Sequence, residues 1–316
     1  MGSTSIEWAT HSWNPGVYGC EEVSPACANC YAAKMAHRLV AMDVYPDGIT
    51  TKRASGVHWS GEVKVHRAYD ERLDQWRDEV LTHDLPKRGP ARVFTTSMGD
   101  LFHKAVPLDF LVKVFAEIER RPWADFLVLT KRPERFAEFS ETYRLPNNVW
   151  AGTTVENQKY ADERVPHLLR IRGAAVRFLS VEPMLGPIDL LYAAFNGADS
   201  FGSMAGIDWV IAGGESGSKA RPSSPAWFRD LRDQCVRAKV AFFFKQWGQW
   251  GLVDRGTKGS IWLGPDGTTV TPALPDPPFG RDLPHEWALM AKIGRAESGR
   301  MLDGRTWDEL PALVRR

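Results

Sequence analysis

Phe126-Leu127-Val128-Leu129-Thr130-Lys131-Arg132 is the stretch on which the fold turns. Five apolar or β-branched residues run without polar alternation and then stop at two cations. A continuous apolar run of this length belongs to a strand buried on both faces, the kind found in parallel sheets covered by helices. Runs of the same character lie on either side of it, at Arg92–Thr96, Val149–Thr154, Val176–Val181, Trp209–Ala212 and Ala241–Phe244. Helical patterns separate several of them, the clearest being Leu111, Val114, Phe115 and Ile118 at i, i+3, i+4 and i+7. Strands alternating with amphipathic helices predict an α/β barrel or an open doubly wound sheet.

Each run gives way to polar residues: Ser97-Met98-Gly99-Asp100, Lys131-Arg132, Thr153-Thr154 with Glu156-Asn157, Glu182, Gly213-Gly214-Glu215-Ser216, and Lys245-Gln246. In α/β folds the carboxyl ends of the strands form the ligand-binding face, so the recurrence predicts one polar cavity built from all of them. Each residue alone has a plainer reading, with Glu182 as a cap, Lys131 and Arg132 as solvated charges and Gly213-Gly214 as a turn.

A second feature precedes the strands. Cys20, Cys27 and Cys30 form a C-x6-C-x2-C cluster. Three thiolates hold an iron–sulfur cluster and leave one iron open, whereas a structural zinc site closes with four ligands. The zinc alternative needs a fourth ligand, for which His11 and His37 are nearest. Cys235 shares helical spacing with Phe228 and Leu231 and reads as a buried core thiol. Four cysteines in 316 residues make no disulfide framework.

The rest of the chain is quieter. Tyr31–Met42 reads as a helix with Ala32, Met35, Leu39 and Met42 on one face, and an irregular insertion at about 43–90 holds a short strand, Glu62–His66. Residues 1–250 are expected to form the α/β domain and residues 251–316 a loop and helical extension. Within the latter, Gly248–Pro284 reads as loop or hairpin, and His285–Leu310 as helix carrying the pairs Gly294-Arg295, Gly299-Arg300 and Gly304-Arg305. With 40 basic and 39 acidic residues the net charge is +1, which excludes a globally basic nucleic-acid coat. Thirteen tryptophans are assigned to core packing ahead of base stacking. No apolar run of about 18 residues and no basic-apolar leader occurs, so no membrane association and a cytoplasmic location are expected.

The strings IEWATHSWNPGVYGCEEVSPACANCYAAKMAHR, TTSMGDLFHKAVP, LTKRPERF, GTTVEN, RFLSVEPMLGPIDL, IDWVIAGGESG and FFFKQWG resemble an uncharacterised phage and bacterial family with a three-cysteine motif, described as radical-SAM-like. The likeness is dense from about Ile6 to Gly248, with an echo in MLDGRTWDELP. It implies a partial (β/α) barrel of radical-SAM type with parallel strands and a C-terminal helical extension. It also implies that Cys20, Cys27 and Cys30 ligate three irons of a 4Fe-4S cluster, with S-adenosyl-L-methionine on the fourth, generating a 5'-deoxyadenosyl radical. The spacing departs from the commonest radical-SAM pattern, C-x3-C-x2-C with an aromatic before the last cysteine; here the first gap is six and Asn29 holds that place.

On that resemblance the methionyl ammonium is expected at Ser97 and Asp100, its carboxylate at Lys131 or Arg132, and the ribose at Thr153, Thr154 or Glu156. Glu182 and Glu215 are left for cofactor or substrate. Arg135, Lys245 and Gln246 are expected to face the substrate, with a nucleotide or nucleic acid as target and Arg132, Arg135 and Lys245 on its phosphates. An electron donor such as flavodoxin or ferredoxin, and a partner protein of the family, are implied as well. Two other readings stand beside this one. The first is a zinc-stabilised nucleic-acid-binding or adaptor protein without catalysis. The second is a metal-dependent hydrolase or nuclease using Asp100, Glu156, Glu182 and Glu215.

Overall fold

Residues 2–65, 80, 90–193, 204–271 and 286–312 are described by the computed structural model. The strands in chain order are β1 (Gly2–Ser3), β2 (His11–Trp13), β3 (Val17–Tyr18), β4 (Thr50–Arg53), β5 (Gly56–Trp59), β6 (Lys64–Val65), β7 (Ala91–Thr95) and β8 (Ala124–Thr130). They continue as β9 (Val149–Thr154), β10 (Val176–Val181), β11 (Trp209–Gly213), β12 (Ala241–Gln246), β13 (Trp250–Leu252), β14 (Ile261–Leu263), β15 (Thr269–Val270) and β16 (Ala288–Lys292). The helices are α1 (Tyr31–Ala41), α2 (Leu108–Glu119), α3 (Pro133–Thr142), α4 (Gln158–Arg170), α5 (Leu190–Ala193), α6 (Pro225–Ala238) and α7 (Arg295–Ser298).

All six apolar runs are strands of one largely parallel sheet in the order β1-β2-β7-β8-β9-β10-β11-β12. β2–β7, β7–β8, β8–β9 and β11–β12 pair parallel, and only the short β1 is seen to join antiparallel. From β7 on, neighbours follow chain order, whereas a doubly wound sheet reverses its order at a switch point. The doubly wound alternative is thereby set aside. No closed barrel is formed by the described residues, β1 and β12 being the end strands.

The chain divides into two compact units, one built from Met1–Thr153 with His167–Phe178, the other from Thr154–Pro166 with Leu179–Ala312. In the first, Phe126, Leu127 and Val128 of β8 are fully buried. Leu111, Val114, Phe115 and Ile118 of α2 are buried as their spacing predicts. Phe102 stacks on Phe136 at 4.1 Å, and Phe115 and Phe139 pack against one another at 5.1 Å, so aromatic rings join α2 to α3. Each ring so buried contributes about 1.5–3 kcal/mol. The Asn148 amide donates to the carbonyls of Ile118, Arg121 and Ala124, satisfying the end of α2 and the start of β8 together. In the second unit Phe228 of α6 meets Phe244 of β12 edge to face at 5.0 Å.

Three expectations need correction. In α1 the buried face is Ala32, Ala33 and Ala36, packed with Ile49, Trp59 and Met98, while Met35 and Met42 are exposed. Small side chains let the helix approach closely, and that contact outranks the larger methionines. The tail is not helical: residues 288–292 form β16 between β13 and β14, followed by the four-residue α7. Its Ala, Leu, Met and Lys favour helix locally, but pairing on both sides overrides propensity. The strand expected at Glu62–His66 is limited to Lys64–Val65, with His66 outside the described residues. Of the loop interval, β14 and β15 form the hairpin around Pro265–Thr268, and residues 272–285 lie outside the described residues. Nine tryptophans, among them Trp13, Trp150, Trp209 and Trp247, are buried in the core. No described helix is long and apolar enough to cross a membrane.

Candidate functional site

The cysteine segment is laid against the end of β7 by backbone. Gly19 bridges to Gly99, and a Cβ on Gly99 would stand 3.0 Å from the Gly19 carbonyl oxygen, so the glycine permits the approach. Pro25–Asn29 forms a 3-10 turn that carries Cys27, and Cys30 then opens α1. The Tyr31 hydroxyl donates to the Ser97 carbonyl at 3.3 Å, a second tie to the same turn. Thr96, in that turn, adopts φ +65°, a conformation disfavoured for a β-branched residue, and its hydroxyl is buried without a partner.

Onto this segment the end of β8 places its charges. Lys131 Nζ donates to Ser24 Oγ at 2.7 Å and reaches Cys27 Sγ at 3.7 Å. Asp100 accepts from Thr130 Oγ1 (2.6 Å), the Phe102 amide (3.0 Å), the Lys131 amide (3.1 Å) and Arg132 Nη1 (2.8 Å). Four donors fill the acceptor capacity of one carboxylate. Asp100 therefore holds the β7 and β8 ends together rather than offering a vacant acceptor. Burial works against the Arg132 charge but is outweighed by Asp100 and the Cys20 sulfur, which hold the guanidinium above its ordinary value. Burial pushes the Cys20 thiol up to about 12, with Asp100 acting the same way, Arg132 opposing, and Cys27 and Cys30 adding to the rise. Among the described residues no three His, Cys, Asp or Glu side chains converge on one metal-ion position.

Glu21 and Glu22, directly after Cys20, anchor the loop in two directions. Glu21 lies 3.3 Å from Lys104 Nζ, 3.5 Å from His103 Nε2 and 3.6 Å from Arg132 Nη2. Glu22 Oε1 meets His58 Nδ1 at 2.6 Å, and His58 Nε2 meets Ser55 Oγ at 2.7 Å, fixing the β4–β5 hairpin to the loop. His103 is buried, and its Nδ1 accepts the Ala105 amide, so the ring proton sits on Nε2. Burial first, then Arg132, lowers its pKa. These residues were not foreseen; the doublet of acids beside Cys20 was the one signal in the sequence. Of the histidines named for the zinc alternative, His11 Nδ1 contacts Thr10 Oγ1 and His37 Nδ1 contacts Thr50 Oγ1.

The remaining strand-end residues divide between the units. In the first, Thr153 is buried and donates to the Thr130 carbonyl, and Arg135 donates to the carbonyls of His103 and Val106. In the second, fully buried Glu156 pairs with Arg164 (3.2 Å), which also takes the Thr154 carbonyl (2.7 Å). Glu182 pairs with Lys245 (3.0 Å), and Glu215 is bound by Arg221 through Nε (2.8 Å) and Nη2 (2.5 Å). Gln246 donates to Ser216 Oγ at 3.2 Å. Asp100, Glu156, Glu182 and Glu215 thus each pair with a cation of their own.

No curated protein and no solved structure matches the chain. A family model described as "Protein of unknown function (DUF5131)" matches residues 3–311, nearly its whole length, and the chain belongs to that family.

Proposed function

We propose that the chain is an iron–sulfur enzyme of the radical S-adenosylmethionine type, with Cys20, Cys27 and Cys30 holding the cluster. The observation that carries this reading is the gathering of Lys131, Arg132 and Asp100 from the ends of β7 and β8 onto the cysteine segment. Three thiolates and their metal–sulfide core bring negative charge into a partly buried site, and Lys131 beside Cys27 with Arg132 beside Cys20 offset it. The donor set also fits: three thiolates suit one on each of three irons, whereas a structural zinc site closes with four ligands. When bound, such a cluster with S-adenosylmethionine supplies reductive cleavage of the sulfonium and hydrogen-atom abstraction.

The chain's own part is to bind and orient. Lys131, in reach of Cys27, is the group best placed to meet the methionyl carboxylate, while Asp100 keeps the Lys131-Arg132 turn in position. Purification without oxygen, followed by iron, sulfide and zinc analysis and absorption spectroscopy, tests the reading. Iron and sulfide in near-equal amounts, with S-adenosylmethionine perturbing the cluster's spectrum, are expected. Stoichiometric zinc with no iron after anaerobic reconstitution overturns it in favour of the zinc adaptor.

A further inference from the structure

Gln246 sits at the end of β12, and only 7% of it is exposed. Its Nε2 donates to Ser216 Oγ, but Oε1 is buried with no hydrogen-bond partner. Exchanging the amide's nitrogen and oxygen leaves the nitrogen unanswered instead, so one end of the group is unpaired in either assignment. A buried acceptor left without a donor forfeits its hydration with nothing in return, and such groups in native proteins call for a reason.

The surrounding backbone is arranged around this residue. Ala212 pairs with Phe244 but Gly213 with Gln246, so Lys245 is an extra residue in β12. Irregularities of this kind re-aim side chains and are frequent beside sites. Lys245 turns to Glu182, whose Oε1 would lie 3.0 Å from a Cβ on Gly213. Beyond it, a Cβ on Gly214 would fall 1.9 Å from the Trp247 carbonyl oxygen, and one on Gly248 2.3 Å from that of Glu215. The two strand ends thus run backbone against backbone, and the glycines exclude side chains from between them.

We propose that Gln246 and Ser216, beside the Glu182–Lys245 pair, form the recognition point for an uncharged ligand edge carrying a donor next to an acceptor, the pattern of a nucleobase. The charges here are balanced within the protein, Lys245 by Glu182 and Arg221 by Glu215, so phosphate is not the handle. A Gln amide offers an acceptor and a donor side by side and pairs in two-point fashion with a base edge. The inference rests on the enzyme reading only in naming the substrate class for its strand-end face.

Calorimetric titration of the full chain with adenosine, guanosine, cytidine and uridine, and separately with S-adenosylmethionine, tests it in the wild type, Gln246→Leu and Ser216→Ala. At least one nucleoside should bind, and Gln246→Leu should weaken it on the order of tenfold or more. The ligand-free Gln246→Leu protein should melt no lower than the wild type, because leucine removes an unanswered polar atom. Binding of S-adenosylmethionine alone, with the same dependence on Gln246, supports the site with the cofactor's adenine as its occupant. Absence of all binding, binding indifferent to both substitutions, or a Gln246→Leu protein that melts well below wild type overturns the proposal. Iron analysis on the same samples separates the two readings: zinc in place of iron with nucleoside binding intact removes the proposed enzyme and leaves this site standing.

Discussion

Asp100 is the residue at which the local reading changes most. Its place at a strand end suggests a ligand for an ammonium group, but its four donors make it the joint between β7 and β8. Asp100→Ala takes from the buried Arg132 charge its 2.8 Å partner and leaves only Glu21 at 3.6 Å, and should cost about 3–5 kcal/mol in urea denaturation. Lys131→Ala should leave that midpoint nearly unchanged while altering the spectrum of the reconstituted cluster. A folded, fully stable Asp100→Ala protein would contradict this division of labour. His103 carries a pH signature. Its folded-state pKa lies below the ordinary 6.5, so the unfolded chain binds the proton more readily. Its contribution to stability is complete above about pH 6.5 and is lost as pH falls toward the depressed value. Melting temperatures of His103→Gln across pH 5 to 7.5 should show a shallower acid decline than the wild type.

Elements fail where backbones touch. Gly152 in β9 would place a Cβ within 2.3 Å of the Phe178 ring, and Gly214 would place one 1.9 Å from the Trp247 carbonyl. Gly152→Ala and Gly214→Ala should each cost about 1–3 kcal/mol or more by thermal melting, since neither neighbour can retreat without repacking β10 or β12. The cysteine segment is an element of a different kind, held by its neighbours rather than by an internal ladder. Replacing Cys20, Cys27 or Cys30 by Ala should abolish iron binding after anaerobic reconstitution. Cys235→Ala should keep the iron but lower the melting temperature, because that thiol is fully buried in α6. Iron retained in any of the first three variants would argue against the cluster assignment.

At the scale of the molecule, the C-terminal stretch is part of the second unit's core rather than an appendage. Trp307 gives its carbonyl to the Phe244 amide and its ring to Phe242, and the Trp209 indole donates to Glu309. A chain ending at residue 250 should therefore melt at a lower temperature than the full chain, which circular dichroism would reveal. Six of the eight strands of the main sheet were legible in the sequence because unbroken apolar runs have one stable home, a sheet covered on both faces. The cysteine triplet and the polar residues that end the strands were legible as positions, since residue type and spacing are read directly along the chain. Which charges meet was not. The partners of Asp100, Glu156, Glu182 and Glu215 come from between six and sixty-three positions away, and nothing in local spacing distinguishes a cation facing a ligand from one facing its own carboxylate. The strand β16 was hidden too, because its helix-forming residues are overruled by pairing that exists only once β13 and β14 are in place. Sequence alone determined six strands of the sheet, which depend on side chains taken one run at a time. Tertiary structure decided which polar groups were already satisfied, because hydrogen bonds and ion pairs between distant residues exist only after the chain has folded.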